Sequence, residues 1–545
     1  MLIITAIQSI SKNVDENKIN DYNNLIKQVI ESRVIANNNW LEQDKLVASD
    51  GATHDCFGWY VCINKDSAII GAPFDDDFGY QSGSAYVFIL NDSTWTQQAK
   101  LIASDSSIGG MFGYSVAIKN DTAIIGSPGD NLNTGSVYVF TRTENTWTQQ
   151  EKISALDSEY NDYFGHSVSI DNDYLIIGAW GDNNYGPQSG SAYVFIRNDS
   201  TWAQQAKLIP SDSNVSDMFG YSVSISDDTA LIGAPDDGFE GDSGSAYVFI
   251  RNNSTWTQQA KLIASDGATR DSFGSSVSLD GNTALIGAKW DDDKGAQSGS
   301  AYIFNRIGTT WKQQAKLLAS DGATGDIFGW SVSLYCEIAV IGAQDNDENG
   351  LDSGSAYVFT RKDINWLQQQ KLLASDSESG DFFGDSVAIN SNTILVGTYG
   401  DNDNGDNSGS AYIFIKENQP PNPPIIDGPI KGFPIIPYLF TFSSIDFDGD
   451  DVSYYIDWGD GITTNWTSYR SSGSPGYSER HSWIGFDKFI IRAKAKDIYG
   501  FESPWTNYSF STPRNRASIS SLFLRFCEQF PFLERLFQIL SYISF

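Results

Sequence analysis

One pattern of a little over fifty residues returns seven times between Phe57 and Phe414, and nothing else in the chain limits its fold as much. Phe-Gly pairs begin at Phe57, Phe112, Phe164, Phe219, Phe273, Phe328 and Phe383. Each is followed by an apolar run ending in a triplet such as Gly71-Ala72-Pro73 or Gly233-Ala234-Pro235, then by an acidic loop. An SGSAYVF-like run comes next, ending at Phe88, Phe140, Phe195, Phe249, Phe304, Phe359 and Phe414. Segments of the type TWTQQAKLIA start at Trp95, Trp147, Trp202, Trp256, Trp311 and Trp366, and a seventh, Trp40 to Ala48, precedes the first copy. A unit of this size cannot bury an apolar face alone, so it must stack on its neighbours as a propeller or a solenoid.

Each unit reads as four strands separated by turn residues: FGYSVSIS, TALIGAP, SGSAYVFIR and TWTQQAKLIA. In SGSAYVFI both alternate sets of side chains are apolar, Ala246, Val248 and Ile250 on one side and Tyr247 and Phe249 on the other. Such a strand needs cover on both faces, which a blade pressed between two blades receives. The Trp segments are displaced by one position: the last copy lacks its fourth strand and the first has a spare one before it. Pairing Trp40 to Ala48 with the last copy closes a ring and removes two sheet edges. The expectation is an all-β chain headed by a seven-bladed β-propeller.

The Phe-Gly and Gly-Ala-Pro landmarks resemble the FG-GAP repeat family, best known from the N-terminal propellers of integrin alpha chains, over residues 37–417. The resemblance implies a propeller and a role in binding. It does not carry over the family's calcium ligands, because the hairpin that holds a DxDxDG-like loop in calcium-binding repeats is here as short as Ser226-Asp227-Asp228-Thr229. After a Pro-rich stretch at 418–424, residues 425–512 hold Asp446-Phe447-Asp448-Gly449-Asp450, Trp458-Gly459-Asp460-Gly461, Trp483 and Ala495-Lys496-Asp497. That run is similar to polycystic-kidney-disease-type (PKD) domains and implies a small immunoglobulin-like β-sandwich. Residues 1–36 carry helical periodicity from Glu16 to Ala36, and 513–545 form an amphipathic tail interrupted at Pro531, so short helices are expected at both termini.

The chain has 35 basic against 68 acidic residues, a net charge of -33, which excludes nucleic acid held through a general positive field. Successive connections in a four-stranded meander alternate ends, so the acidic loops after the GAP strand and after the Trp strand share one face of the ring. Asp345, Asp347 and Asp352 around Gly350, and Asp401, Asp403 and Asp406 around Gly405, have carboxylate spacing suited to a hard cation such as Ca2+. Asp75 to Asp77 and Asp291 to Asp293 are denser still. Asp, Asn and Gly also populate ordinary solvated turns, which is the competing reading of these loops. The Asp two residues before most Phe-Gly pairs, as at Asp55 and Asp162, recurs as a turn-forming hydrogen bond would.

No catalytic constellation stands out: His54, His166 and His481 lack a nucleophile, an HExxH motif or an acid pair, and His166 replaces the Tyr114 or Tyr221 of other copies. The four cysteines have neither CxxC spacing nor a repeated position. Sequons at Asn91, Asn120, Asn198, Asn214, Asn252, Asn253, Asn465 and Asn507 suit a glycoprotein if the chain is exported. The apolar start, MLIITAIQSI, is too short to span a bilayer and reads as an incomplete signal peptide or a plain terminus. The functional expectation is an extracellular or cell-surface, non-enzymatic binding or adhesion protein that contacts a protein or glycan ligand. Two alternatives are a secreted polysaccharide-acting enzyme or its carbohydrate-binding module, and a structural surface-layer component.

Overall fold

The computed structural model describes residues 39–237, 243–446, 448–473 and 476–512. The helices expected in 1–36 and 513–545 lie outside them. The chain divides into two compact units between Lys416 and Glu417.

The first unit is the expected seven-bladed propeller, seven antiparallel sheets of four strands each. The fourth repeat shows the plan: Ser222–Ser226, Thr229–Ala234, Ser245–Asn252 and Thr255–Leu262 pair in that order, inner to outer. The second strand is buried throughout, whereas the first alternates between buried and half-buried and the fourth has only two buried residues, so burial is deepest inside the blade. The first turn is tight, with Ser226 opposite Thr229 and Asp227 at φ 51. Asp tolerates that left-handed backbone better than most residues.

The ring closes as the displaced count requires. Trp40–Leu46 pairs antiparallel with Ser410–Lys416, from Trp40 opposite Lys416 to Leu46 opposite Ala411, and completes the seventh blade. Trp40 and Leu46 are both buried there.

The landmarks are the contacts between blades. A Cβ added at Gly71 would lie 1.9 Å from the carbonyl oxygen of Gly113, and the contact repeats round the ring to Gly397 on Gly58. The glycine of each GAP strand therefore meets the Phe-Gly glycine of the next blade at backbone distance, which no side chain permits. The phenylalanine lies under the Tyr-x-Phe of its own blade, with Phe57 edge-on to Tyr86 at 5.4 Å and to Phe88 at 6.0 Å. In most blades these two residues are not strand residues. Gly220 at φ 92 breaks the extended backbone, the inner strand begins at Ser222, and Phe219 instead makes a parallel bridge to Gly190 of the preceding blade. Farther out, Trp147 donates to Gln98 Oε1 at 2.8 Å and Trp256 to Gln205 Oε1 at 2.8 Å, ties between neighbouring blades that Trp311 and Trp366 repeat and the Trp95 and Trp202 indoles do not.

The second unit is a β-sandwich. A three-stranded sheet (Ile425–Asp427, Tyr438–Ser443, Tyr477–His481) and a four-stranded sheet (Val452–Asp457, Thr463–Thr464, Lys488–Asp497, Thr506–Ser511) share one aromatic core. Trp458 and Trp483 are at its centre, the Trp483 indole donating to the Trp458 carbonyl at 3.0 Å. The Pro-rich stretch belongs to this unit: Asn418 donates to Asp497 at 2.8 Å and the Gln419 amide to Asp448 at 2.6 Å. Among the described residues no helix is long and apolar enough to cross a membrane.

Candidate functional site

The acidic loops are gathered on one face, and what gathers them is lysine. Lys100, in the Trp strand of the first repeat, reaches Asp50 at 2.8 Å, Asp75 at 2.8 Å and Asp77 at 2.6 Å. Asp50 follows the previous Trp strand and Asp75 follows the GAP strand, so one ammonium joins both loop sets. Lys152, Lys207, Lys261, Lys316 and Lys371 repeat the arrangement, each bridging carboxylates of two loops. A buried tyrosine completes the network, as where Tyr193 donates to Asp182 at 2.7 Å. This lysine was overlooked in the sequence, although it stands at one fixed place, before the Leu or Ile that ends each Trp segment.

The network decides where two of the six candidate metal ligands sit. Asp401 and Asp403, with Asp376, bring carboxylate oxygens within 4.8 Å of one another. The Lys45 ammonium stands among them, 2.8 Å from Asp376, 2.8 Å from Asp401 and 2.6 Å from Asp403. Burial alone would lower the pKa of Lys45, but hydrogen bonds to the three carboxylates raise it on balance. Asp406 does not join them; it is largely exposed, 3.8 Å from His54 Nε2. In the sixth repeat Asn346 takes the buried position held elsewhere by an aspartate, its amide donating to Asp326 at 3.1 Å. Asp347 accepts the Asp352 amide at 2.8 Å, and Asp345 is pushed up to about 6 by burial and by the Asp352 and Asp347 carboxylates.

A second carboxylate cluster went unremarked as a candidate site, although its five-residue run is visible in the sequence. Asp446, Asp448 and Asp450 of the sandwich also approach within 4.8 Å of one another. Asp446 is buried, and one of its oxygens accepts the Asp448 amide at 2.9 Å and the Asp450 amide at 3.3 Å. The aspartates before the Phe-Gly pairs hold turns: Asp55 accepts the Ala52 amide at 2.7 Å and Asp162 the Glu159 amide at 2.7 Å. Burial raises both to about 6.

The asymmetric part of the propeller is its axis. The residue after each Phe-Gly pair faces inward, and across the seven blades it is Trp59, Tyr114, His166, Tyr221, Ser275, Trp330 and Asp385. Trp59 packs on Tyr114 at 5.8 Å and on Tyr399 at 5.1 Å, and His166 lies between Tyr114 at 5.1 Å and Tyr221 at 4.8 Å. His166 Nδ1 is 3.1 Å from the Tyr221 carbonyl and Nε2 3.4 Å from the Tyr114 hydroxyl. Burial lowers its pKa to about 4, so the ring is neutral. Where the fifth blade has the small Ser275, the gap is filled from its own triplet: Lys289 replaces proline and puts its ammonium 4.2 Å from the Trp330 ring centre and 5.5 Å from that of Tyr221. Trp330 donates to Asp385 at 3.0 Å. Burial pushes Asp385 up to about 8 and Lys289 down to about 8. These residues enclose an axial pocket of about 150 Å³. The signal was available in the sequence: aligned on the landmarks, this position changes chemical class from copy to copy, while the Phe-Gly before it is constant and the Ser after it changes only at Tyr60.

A closed propeller of sequence-repeat blades, with a uniform lysine-bridged loop face and a diversified axis, is the class of protein these features define. Seven stretches, 40–88, 95–140, 147–195, 202–249, 256–304, 311–359 and 366–414, match the FG-GAP repeat, and as they make up more than half of the sequence, the chain belongs to that family. Over 274 residues it is 24% identical to integrin alpha-4 of Xenopus laevis, a match covering 46% of this chain and 26% of that protein. Among solved structures, the PKD domain of an M14-like peptidase from Thermoplasmatales archaeon SCGC AB-540-F20 is 39% identical, covering 18% of this chain and 99% of that one at a TM-score of 0.17. An exo-beta-1,3-galactanase from Phanerochaete chrysosporium is 11% identical over 86% of this chain and 99% of its own, at a TM-score of 0.30.

Proposed function

We propose that this protein is a non-enzymatic binding or adhesion module of the cell exterior, which presents the lysine-bridged loop face and axis of its propeller to a protein or glycan partner. The observation that carries the reading is the contrast between blades and axis. The Phe-Gly pairs and the triplet glycines are repeated unchanged, whereas the seven axial positions carry aromatic, imidazole, acidic and small residues in one arrangement. Diversity confined to an accessible centre on a rigid scaffold is what recognition requires. Family membership and the likeness to an integrin alpha chain support a binding role. The axial histidine is not paired with a nucleophile: His166 is held between a tyrosine hydroxyl and a carbonyl, with no serine or cysteine bonded to it among the described residues. We read the sandwich as a PKD-type companion domain.

The test is to immobilise the full chain and probe it with arrayed glycans and with purified cell-surface and matrix proteins, while assaying the same glycans for new reducing ends. Saturable binding with no new ends is expected. Turnover of any glycan would replace this reading with the polysaccharide-acting one. Absence of all binding, with self-assembly in light scattering, would replace it with a structural surface-layer role.

A further inference from the structure

The axial pocket has a more specific chemistry than a general binding face. Two of its polar side chains are largely buried and have nothing to bond. Lys289 is 8% exposed, and its contacts among the described residues are the rings of Tyr221, Trp290 and Trp330, with no acceptor within hydrogen-bonding or ion-pairing distance. Ser275 is 6% exposed, and its hydroxyl has no partner among the described residues. Buried donors left unmatched are costly, and in a pocket open to one side they mark where a ligand's acceptors belong. Asp385, bonded through one oxygen to the Trp330 indole, lines the same pocket.

Charge narrows the ligand. A cation cannot use the aromatic faces of Tyr221 and Trp330, because the Lys289 ammonium already does. An anion would meet the Asp236 and Asp345 carboxylates close by, whose charges act on Lys289 and on Asp385. What remains is a neutral molecule with several hydroxyls and an apolar side to lie on aromatic rings such as Trp59 and Tyr114. Size narrows it again. A pocket of about 150 Å³ accepts one six-membered ring and not two.

We propose that the axial pocket binds a single neutral pyranose, the terminal sugar of a glycan, with hydroxyl oxygens received by Lys289 Nζ and the Ser275 hydroxyl and the sugar's apolar side on the axial aromatics. The proposal rests on the binding reading above and assigns it a site and a ligand class.

The experiment uses the full chain and the methyl glycosides of glucose, galactose and mannose, with glucuronic acid and glucosamine as charged counterparts. Binding is read by tryptophan fluorescence, to which Trp59 and Trp330 report, and by saturation transfer from protein to sugar ring protons. Two variants locate the site. Ser275→Tyr installs the residue that stands at this position in the second and fourth blades and fills the pocket, and Lys289→Met keeps the aliphatic cover while removing the donor. At least one neutral glycoside is expected to bind, to outcompete both charged sugars, and to weaken about tenfold or more in each variant, with both variants melting as cooperatively as the parent. The proposal is overturned if no neutral glycoside binds, if a charged sugar binds better, or if binding survives in whichever variant folds. Capture of arrayed glycans or proteins that persists in Ser275→Tyr would overturn this site alone and leave the broader binding reading intact. Loss of all capture by the parent chain would end both.

Discussion

Asp385 shows how a single residue's environment becomes a measurable property. Its carboxyl is pushed up to about 8, first by burial and then by the Asp345 carboxylate, against the opposing pull of the Trp330 indole and Lys289. Between the ordinary carboxylate value near pH 4 and pH 8, the folded chain therefore holds a proton that the unfolded chain has released. Stability from this group is present at low pH and is lost as the pH rises through 8. An asparagine in its place would still accept the Trp330 hydrogen bond and has no proton to lose. Asp385→Asn is expected to gain on the parent steadily between about pH 5 and pH 8, by up to about 4 kcal/mol, and to hold that gain at about pH 9, read from melting curves across that range. A gap that does not change with pH would show that the carboxyl is not held protonated. Lys289 faces the same group and titrates near 8 from the other side, so the difference between variant and parent is the quantity to follow. At this scale the sequence was least informative. The spacing of Asp401 and Asp403 was visible, but Lys45, which satisfies them, lies more than three hundred residues earlier and arrives only because the ring closes.

At the scale of the element, the Phe-Gly and Gly-Ala-Pro landmarks are better understood as joints than as strand residues. The periodicity placed the strands correctly because alternation and turn residues are local signals, as at Ser222–Ser226 and Thr229–Ala234. It extended the inner strand through the Phe-Gly pair because an alternating pattern does not register that Gly220 sits at φ 92. The joint has a steric test. A Cβ on Gly342 would lie 2.0 Å from the Gly384 carbonyl oxygen, with backbone on the opposing side that cannot turn away. Gly342→Ala should cost about 2–3 kcal/mol by forcing two blades apart. Gly51 is the control: its added Cβ meets nothing closer than 3.4 Å, so Gly51→Ala should stay within about 0.5 kcal/mol of the parent. Denaturant titration of the two variants decides it, and equal midpoints would mean that the blades do not depend on glycine contact.

For the molecule as a whole, closure is the property on which the rest depends, and the displaced Trp segment makes it legible in the sequence. Each blade covers the next, so the ring has no natural end except the one sealed by Trp40–Leu46 on Ser410–Lys416. Removing residues 1–46 would uncover the edge strand that ends the seventh sheet and delete two buried side chains, Trp40 and Leu46. Losses of this kind cost about 3–5 kcal/mol for the tryptophan and about 2–5 kcal/mol for the leucine. Together they approach the whole stability of an ordinary domain, about 5–15 kcal/mol. The truncated chain is therefore expected to melt early and broadly or to associate through the bare edge, whereas removal of residues 1–36 alone, which spares the strand, should leave the propeller transition in place. A synthetic peptide spanning residues 37–50 should raise the melting temperature of the truncated chain in proportion to the logarithm of its concentration once the site is saturated, because it binds the folded ring and not the unfolded one. If the truncated chain melted with the parent's midpoint and sharpness, the six preceding blades would be self-sufficient and the seal between the two ends of the ring would be ornamental.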